Sequence, residues 1–488
     1  MESKELKDKI LQGVFYNFSS SILKNGFTFI ISIFLSRILD PSDFGLVGMA
    51  TVFIVFSQGL SDLGLSSGLI REQTNTDKEM SSVFYFNIGI SLILNVCLFF
   101  LASSIASFYG ISEIELIVKA ISFTLVLNSL NTVHQAILYK NLDVKKIRIA
   151  SLVSAITGGL AGLGAAIFGY GVWSLIFSSY ISGIVSVLII WHLSRWRPSL
   201  VFDFKDIKRL MPFGIKVFLV NYIDLVYSRL DILLIGKIFN PSTLGYYFRA
   251  ISLNQFVTKY SSQGLSGIFF PAVSKMNGDL VRIKDFYNKT LNVVCFISFL
   301  LTGLLYVNAK EMILILFGSK WYSSIDYFKI LAFSSYVTPL TLIFNGVLLG
   351  TGNSGAQLKL EVLKKILSLM GIGIGLWIGF HAFLWSQVIT TTLGLFLSLV
   401  FIKKAIFSDF WKDLILIFKY AIPMFIGIFV LLGMRTFIFD VHPLLHFSFN
   451  TVLFIILFFL ISHIFNLSGF KTVLNLLLDV SFFRKKVK

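Results

Sequence analysis

From Ile90 to Phe108 the chain reads ISLILNVCLFFLASSIASF, and from Thr451 to Phe465 it reads TVLFIILFFLISHIF, with no charged residue in either run. Wound as an α-helix at ~1.5 Å per residue, the first run nearly crosses the ~30 Å hydrocarbon core of a bilayer, and the second does so with the uncharged residues that flank it. In water its sides would stay uncovered. The runs do not alternate apolar with polar residues, which excludes the strands of a membrane β-barrel. About fourteen such segments follow one another, centred near residues 25, 57, 95, 126, 159, 183, 224, 256, 297, 338, 370, 393, 425 and 458, each near the ~20 residues a span needs. The first, seventh and eighth are the least apolar. With 56% hydrophobic and 14% charged residues, the expected fold class is an all-α polytopic membrane protein.

Lys and Arg beside membrane helices are retained on the cytoplasmic side. Most of the 42 basic residues fall in alternate loops, among them YKNLDVKKIR, SRWRPSLVFDFKDIKRL and the tail FFRKKVK. This asymmetry predicts both termini in the cytoplasm. It also accounts for the net charge of +17 through contact with anionic lipid head groups, with no nucleic acid needed. The opening MESKELKDKILQ is a charged amphipathic stub without the marks of a removable signal. Cys97 and Cys295 fall inside the third and ninth segments and are expected to be packing residues.

The chain repeats itself. RILDPSDFG (Arg37 to Gly45) returns 200 residues later as KIFNPSTLG (Lys237 to Gly245), and GLS at Gly64 returns at Gly264. At an offset of 210, IVKA (Ile117 to Ala120) faces YFKI (Tyr327 to Ile330), and GYGVW (Gly169 to Trp173) faces GFHAF (Gly379 to Phe383). Each copy holds six segments, an even number, so the copies are parallel. Parallel repeats of this kind build a cavity at the interface of two bundles that rock against each other. The expected organisation is a first six-helix lobe at 1–193, a cytoplasmic linker at 194–210, a second lobe at 211–403, two extra helices at 404–466 and a basic tail at 467–488. Gly158 with Gly162, and Gly371 with Gly375 and Gly379, are expected to form smooth faces for helix packing.

Ionisable residues at membrane depth are costly and face a partner or a wet cavity. The candidates for a substrate-binding cavity are Lys24, Asp62, Asp224, Arg229, Asp231, Arg249, Lys259 and Lys329, while Lys216 can snorkel to the interface. By the repeat offset Lys24 and Asp224 are equivalent. They either pair as static ions or serve the cavity separately. The surplus of cations, with Arg249, Lys259 and Lys329 short of acidic neighbours in sequence, favours a cavity for an anionic substrate, and Arg suits phosphate. Asn128, Asn131, His134 and Gln135 make a second polar face, where His134 is either an interior histidine or a proton-linked group. Asp62, Asp224 and Asp231 could take Na⁺ or H⁺ as a coupling ion. No cofactor or metal is expected: His442 and His446 have metal-like spacing, but Pro443 interrupts and no third ligand follows. No outward loop is long enough for a catalytic domain, so the chain does not read as an enzyme.

SRILDPSDFGLVGMATVF, GLSDLGLSSGLIRE, GYGVWSLI and ILLIGKIFNPSTLGYYFRA resemble the polysaccharide-transporter branch of the multidrug/oligosaccharidyl-lipid/polysaccharide (MOP) flippase superfamily. Within it the chain is most similar to the colanic-acid and teichuronic-acid exporter type, akin to O-antigen flippases. The resemblance runs from about Phe15 to the twelfth segment. It implies two six-helix lobes in a V around a cationic cavity, and two extra helices that form a groove for a lipid tail. It implies as substrate an undecaprenyl-pyrophosphate-linked oligosaccharide, a unit of O-antigen, capsule or exopolysaccharide, moved from the inner to the outer leaflet of the bacterial inner membrane by alternating access. Arg249 and Lys259 would then meet pyrophosphate or acidic sugars, supported by Lys24 and Arg229. The expected partners are the lipid-linked oligosaccharide, membrane lipids, and glycan polymerase and chain-length machinery. The alternatives are a lipid II flippase, a multidrug exporter of the same superfamily, and a membrane glycan polymerase.

Overall fold

The computed structural model describes residues 21–72, 74–276, 278–434 and 442–475, with the side chains of 259–268 excepted. Every regular element among them is helical. The chain divides into two compact units, Met1–Gly245 and Tyr246–Lys488.

The first unit contains α1 (Ser21–Ile38), α2 (Pro41–Asp62), α3 (Leu65–Arg71), α4 (Asp77–Tyr109), α5 (Glu113–Ser122), α6 (Thr124–Lys140), α7 (Val144–Ile167), α8 (Trp173–Ser194), α9 (Phe204–Tyr227), α10 (Leu230–Ile238) and the start of α11 (Pro241–Ser274). The second holds the rest of α11, then α12 (Leu280–Val307), α13 (Ala309–Leu316), α14 (Ser324–Ala332), α15 (Val337–Gly350), α16 (Ser354–Ile378), α17 (Phe380–Ile406), α18 (Phe410–Met434) and α19 (Pro443–Ile464). Eleven segments are long and apolar enough to cross a membrane, with α5–α6 and α14–α15 each counting as one. The chain is therefore a multi-pass membrane protein. Of the remaining helices α9, α11 and α16 have the length, at 24, 34 and 25 residues, but carry charges. Eleven spans thus meet the length and hydropathy expected of a crossing, and the fourteen read from sequence are consistent with these eleven plus the three charged helices.

The repeat is visible in the elements. Pro41 and Pro241 each open a helix, α2 and α11. In both turns a short polar residue precedes the proline: Asp40 N donates to Asp43 Oδ2 (3.0 Å), and Thr243 N donates to Asn240 Oδ1 (2.8 Å). The prolines thus begin helices rather than end them, because the missing N–H costs nothing in a first turn. The twin turns also touch. A Cβ on Gly45 would stand 2.5 Å from the carbonyl carbon of Pro241, and one on Gly245 would stand 2.7 Å from that of Pro41. The second pair of matches holds too: α5 breaks into α6 at Phe123, and α14 ends at Phe333 before α15. The copies differ at the GLS motif. α2 breaks there, with Leu63 and Gly64 in the left-handed region, whereas α11 runs through Gly264 unbroken.

Small residues let paired helices close up. Gly158 and Gly162 of α7 lie against Ser178 and Ser182 of α8, and Gly371 and Gly375 of α16 lie against Thr390, Phe383 and Ser386 of α17. Gly379 departs from the expected face. Its φ of 142° makes it the turn between α16 and α17, and no atom would approach its Cβ. Cys295 is buried as expected, while Cys97 is exposed on α4.

The segment 194–210 is strapped to the start of α4. Trp196 Nε1 donates to Asp77 (3.3 Å), Ser199 N to Ser81 Oγ (2.9 Å) and Asp203 N to Ser82 Oγ (3.0 Å). Lys78 pairs with Asp203 and Arg209 with Glu79, both at 2.6 Å. Beside this strap His134 is fully buried among Phe84, Trp191 and Trp196, with Nδ1 2.9 Å from Ser194 Oγ. It is an interior histidine.

Candidate functional site

α1, α2, α6, α7 and α8 enclose a cavity of about 480 Å³ within the first unit. Its polar lining comes from the faces those helices turn inward: Thr51 and Gln58 on α2, Asn128 and Gln135 on α6, Ser151 on α7, and Ser179, Ser182 and Ser186 on α8. Asn128 and Gln135 stand seven residues apart and so share one face of α6. Among the described residues two cations line the cavity, Lys24 from α1 and Arg148 from α7, and no carboxylate belongs to the lining.

The local sequence sets both cations. Asp143 precedes α7 and pairs with Lys146 at 2.7 Å, which neutralises that lysine. Arg148 lies further along and begins a polar stripe with Ser151 and Ser154, at steps of three residues. Lys24 Nζ donates to Ser151 Oγ at 2.6 Å. Arg148 Nε is buried without a hydrogen-bond partner among the described residues. A buried donor left unmatched is costly. Amides and hydroxyls around two cations suit a ligand that combines anionic oxygens with sugar hydroxyls.

Of the eight residues expected from sequence, Lys24 alone among the described side chains lines this cavity. Its ammonium meets Ser151 rather than Asp224, so the equivalent pair does not form an ion pair here. Asp62 closes the break after α2, accepting from Ser66 N (3.1 Å), Ser66 Oγ (2.7 Å) and Asn87 Nδ2 (2.9 Å). Asp224 is exposed on α9, Arg229 is exposed at the break before α10, and Asp231 accepts from Ile232 N in the first turn of α10. Arg249 is buried in the second unit, its guanidinium 5.4 Å from the ring of Phe317 and 5.2 Å from that of Trp321. Such stacking is a packing role for an arginine. Lys329 has an acidic neighbour after all: Asp326, one turn back, lies 3.8 Å away. The side chain of Lys259 lies outside those described.

Sequence reasoning missed Arg148. It stands in the basic run YKNLDVKKIR, which the inside-positive bias absorbs as a loop. The three-residue spacing of Arg148, Ser151 and Ser154 was the available signal.

The second unit holds a different cavity, of about 340 Å³, lined by Phe299, Phe333, Tyr336, Trp385, Phe396, Phe418, Met424 and Phe425 among others. These come from α12, α14–α15, α17 and α18. Its polar feature is Tyr336 OH, 3.3 Å from Thr392 Oγ1. Among the described residues no group of His, Cys, Asp and Glu could hold a metal ion; His442 instead caps α19, accepting from Leu444 N.

The family described as polysaccharide biosynthesis protein matches residues 34–326. Among individual proteins, the lipopolysaccharide biosynthesis protein WzxC of Escherichia coli (strain K12) is 22% identical over 429 residues, covering 86% of each chain. The succinoglycan biosynthesis transport protein ExoT of Rhizobium meliloti (strain 1021) is 24% identical, covering 72% of this chain and 71% of that protein. The teichuronic acid biosynthesis protein TuaB of Bacillus subtilis (strain 168) is 23% identical, covering 66% of each. Among solved structures, the lipid II flippase MurJ in an inward closed conformation aligns with a TM-score of 0.71 at 16% identity, over 93% of this chain and 98% of that one. A multidrug resistance MATE family transporter of the MOP superfamily aligns at 0.61 and 15% identity, over 79% and 94%. The fold is the one these two transporters share.

Proposed function

The chain belongs to the polysaccharide biosynthesis protein family, and from that premise we propose that it is a flippase for an undecaprenyl-pyrophosphate-linked oligosaccharide. It moves its substrate from the inner to the outer leaflet of the bacterial inner membrane, with both termini in the cytoplasm. The observation that carries this reading is the cavity of the first unit: among the described residues its lining has two cations, amides and hydroxyls, and no carboxylate. Phosphate oxygens meet Lys24 and Arg148, and the sugar meets Gln58, Asn128, Gln135 and the serines. A drug exporter for cationic compounds would call for carboxylates at this place, since a cation brought beside Lys24 and Arg148 is repelled.

The tail of a lipid-linked substrate is apolar. The aromatic cavity beside α17 and α18 offers matching surface; among the described residues it includes the first of the two extra helices, not the second. The work done is transfer between leaflets, not bond making, and repeats of this parallel kind achieve it by alternating access. The lobes are those of the repeat, 1–193 and 211–403, joined by 194–210. Glycan polymerase and chain-length machinery act on what the flippase delivers.

The test is the sidedness of lipid-linked glycan in a deletion strain. Units accumulating on the inner leaflet support a flippase, and single units accumulating on the outer leaflet would point to a polymerase. Complementation with Arg148→Ala at equal expression should fail. Full export by that variant would remove the cavity from the mechanism.

A further inference from the structure

Asp62 lies apart from the cavity and meets no positive charge. It is the last residue of α2, next to Leu63 and Gly64 with φ of 44° and 74°. The C-terminal end of a helix carries partial negative charge of its own, which adds to that of the carboxylate. Against this stand only neutral donors: Ser66 N, Ser66 Oγ and Asn87 Nδ2, at 3.1, 2.7 and 2.9 Å. Among the described residues no ion pair reaches Asp62.

Two further oxygens share one face of α4, the face that meets Asp62 through Asn87. Asn87 is 1% exposed and Ser91, one turn further along α4, is fully buried. Asn87 Oδ1 and Ser91 Oγ have no hydrogen-bond partner among the described residues. Asn87 Oδ1 is the other arm of the amide that already touches Asp62. Buried oxygens without partners are rare and need an explanation.

We propose that Asp62, Asn87 and Ser91 form a sodium site. Without an ion, Asn87 turns its N–H toward the carboxylate and leaves its oxygen orphaned. With the amide turned over, Oδ1 and the carboxylate face each other, an arrangement that a cation between them stabilises, or a proton on Asp62. Ser66 Oγ and Ser91 Oγ add oxygen lone pairs, so the site is all oxygen and suits a hard cation. A single carboxylate matches a single positive charge, which selects an alkali ion over Ca²⁺ or Mg²⁺. Broken helices are where transporters place such ions.

Its position gives occupancy a consequence. Gly64, two residues beyond Asp62, is in backbone contact with α9: a Cβ there would stand 2.7 Å from the carbonyl carbon of Gly214. An ion that stiffens the break after α2 therefore bears directly on α9, the first helix of the second repeat. Differential binding between two states is what lets a ligand shift them.

The binding step is independent of the glycan, and so is its test. Full-length protein in lipid nanodiscs is titrated with radiolabelled sodium, with choline chloride holding ionic strength constant. The wild type should bind saturably, and unlabelled sodium should compete where potassium does not. Asp62→Asn should weaken binding at least tenfold, Ser91→Ala should weaken it less, and the exposed Asp326→Asn should leave it unchanged. Absence of saturable binding to the wild type overturns the proposal whether or not the variants fold. So does undiminished binding by Asp62→Asn, or equal competition by potassium. Thermal stability that follows pH at any sodium concentration, with no sodium dependence, would assign Asp62 a proton instead.

Discussion

Replacing Gly45 by alanine adds one methyl group where the twin turns meet. That methyl would stand 2.5 Å from the carbonyl carbon of Pro241 and nearer still to its oxygen, where ordinary contact begins at 3.4 Å. The obstacle is backbone on both sides, so no rotamer change relieves it, and the turns must part by about 1 Å. Overpacking of this kind costs about 1–3 kcal/mol. Charged against the state in which the turns touch, that is about a 5- to 150-fold shift toward the state in which they do not. The assay is the rate at which a membrane-impermeant maleimide labels a cysteine at Ser42 in intact cells. Gly45→Ala should raise that rate within this range, and Gly245→Ala should do the same, because the contact is reciprocal. The double variant should add little to either single one, since the first separation already makes room for the second methyl. Gly89→Ala serves as control: a Cβ there meets nothing within 4 Å. Unchanged labelling in both variants at normal expression would show that the turns do not touch in the membrane. Protection of the wild-type cysteine from outside, with labelling only in opened cells, would overturn the orientation itself.

Gly303→Ala should destabilise the second unit by about 1–3 kcal/mol, read as a lower midpoint of thermal unfolding, because its Cβ would stand 2.7 Å from Phe454 Cε1. Phe454→Leu in the same background should recover part of the loss. Exchanging Lys24 and Asp224 should not restore export beyond either single change, since Lys24 meets Ser151 (2.6 Å); full activity of the exchange would show that the two pair during transport. Arg249→Lys should lower the thermal midpoint more than it lowers export per folded molecule, as a planar guanidinium against Phe317 and Trp321 is replaced by a compact ammonium that cannot stack. The hydrogen bond from Lys78 holds the Asp203 carboxyl below its ordinary value of 3.8. Its contribution is complete above that value and is lost as pH falls through the lowered one. Hydrogen exchange along the 194–210 strap should therefore be flat from pH 5 to 8 after correction for the intrinsic rate, and loosening within that window would refute the pairing.

The spans, the repeat and the family were legible because each is written along the chain. Apolar run length is local, and the offsets of 200 and 210 compare like with like. What the side chains do was less legible, because it depends on which way a helix faces. Arg249 reads in sequence as a lone charge on an apolar helix, and only the structure brings Phe317 and Trp321, from elsewhere in the chain, against its guanidinium. Asp62 looked like part of the cavity, but Ser66, four residues on, holds it at the helix break, and this spacing was present in the sequence. The acid near Lys329 was likewise visible three residues back. Lys24 was found because it interrupts an apolar run, and Arg148 was hidden because it follows a basic one.

The two units differ in what they enclose. The helix hairpins α7–α8 and α16–α17 keep the same glycine seam, yet the first unit surrounds its cavity with Lys24, Arg148, amides and serines, while the second surrounds its own with aromatic rings. A ligand that was only a sugar phosphate would leave the aromatic cavity unexplained, and a purely lipid ligand would leave Lys24 and Arg148 without a purpose. An amphiphile with an anionic glycan head accounts for both. Filling the two cavities separately should then have separable effects. Ser182→Phe, which crowds the polar cavity, should abolish export of lipid-linked glycan. Val388→Trp, which crowds the aromatic one, should weaken export of the native substrate more than that of a short-chain analogue in proteoliposomes. Equal loss with both chain lengths would mean that the aromatic cavity serves packing alone.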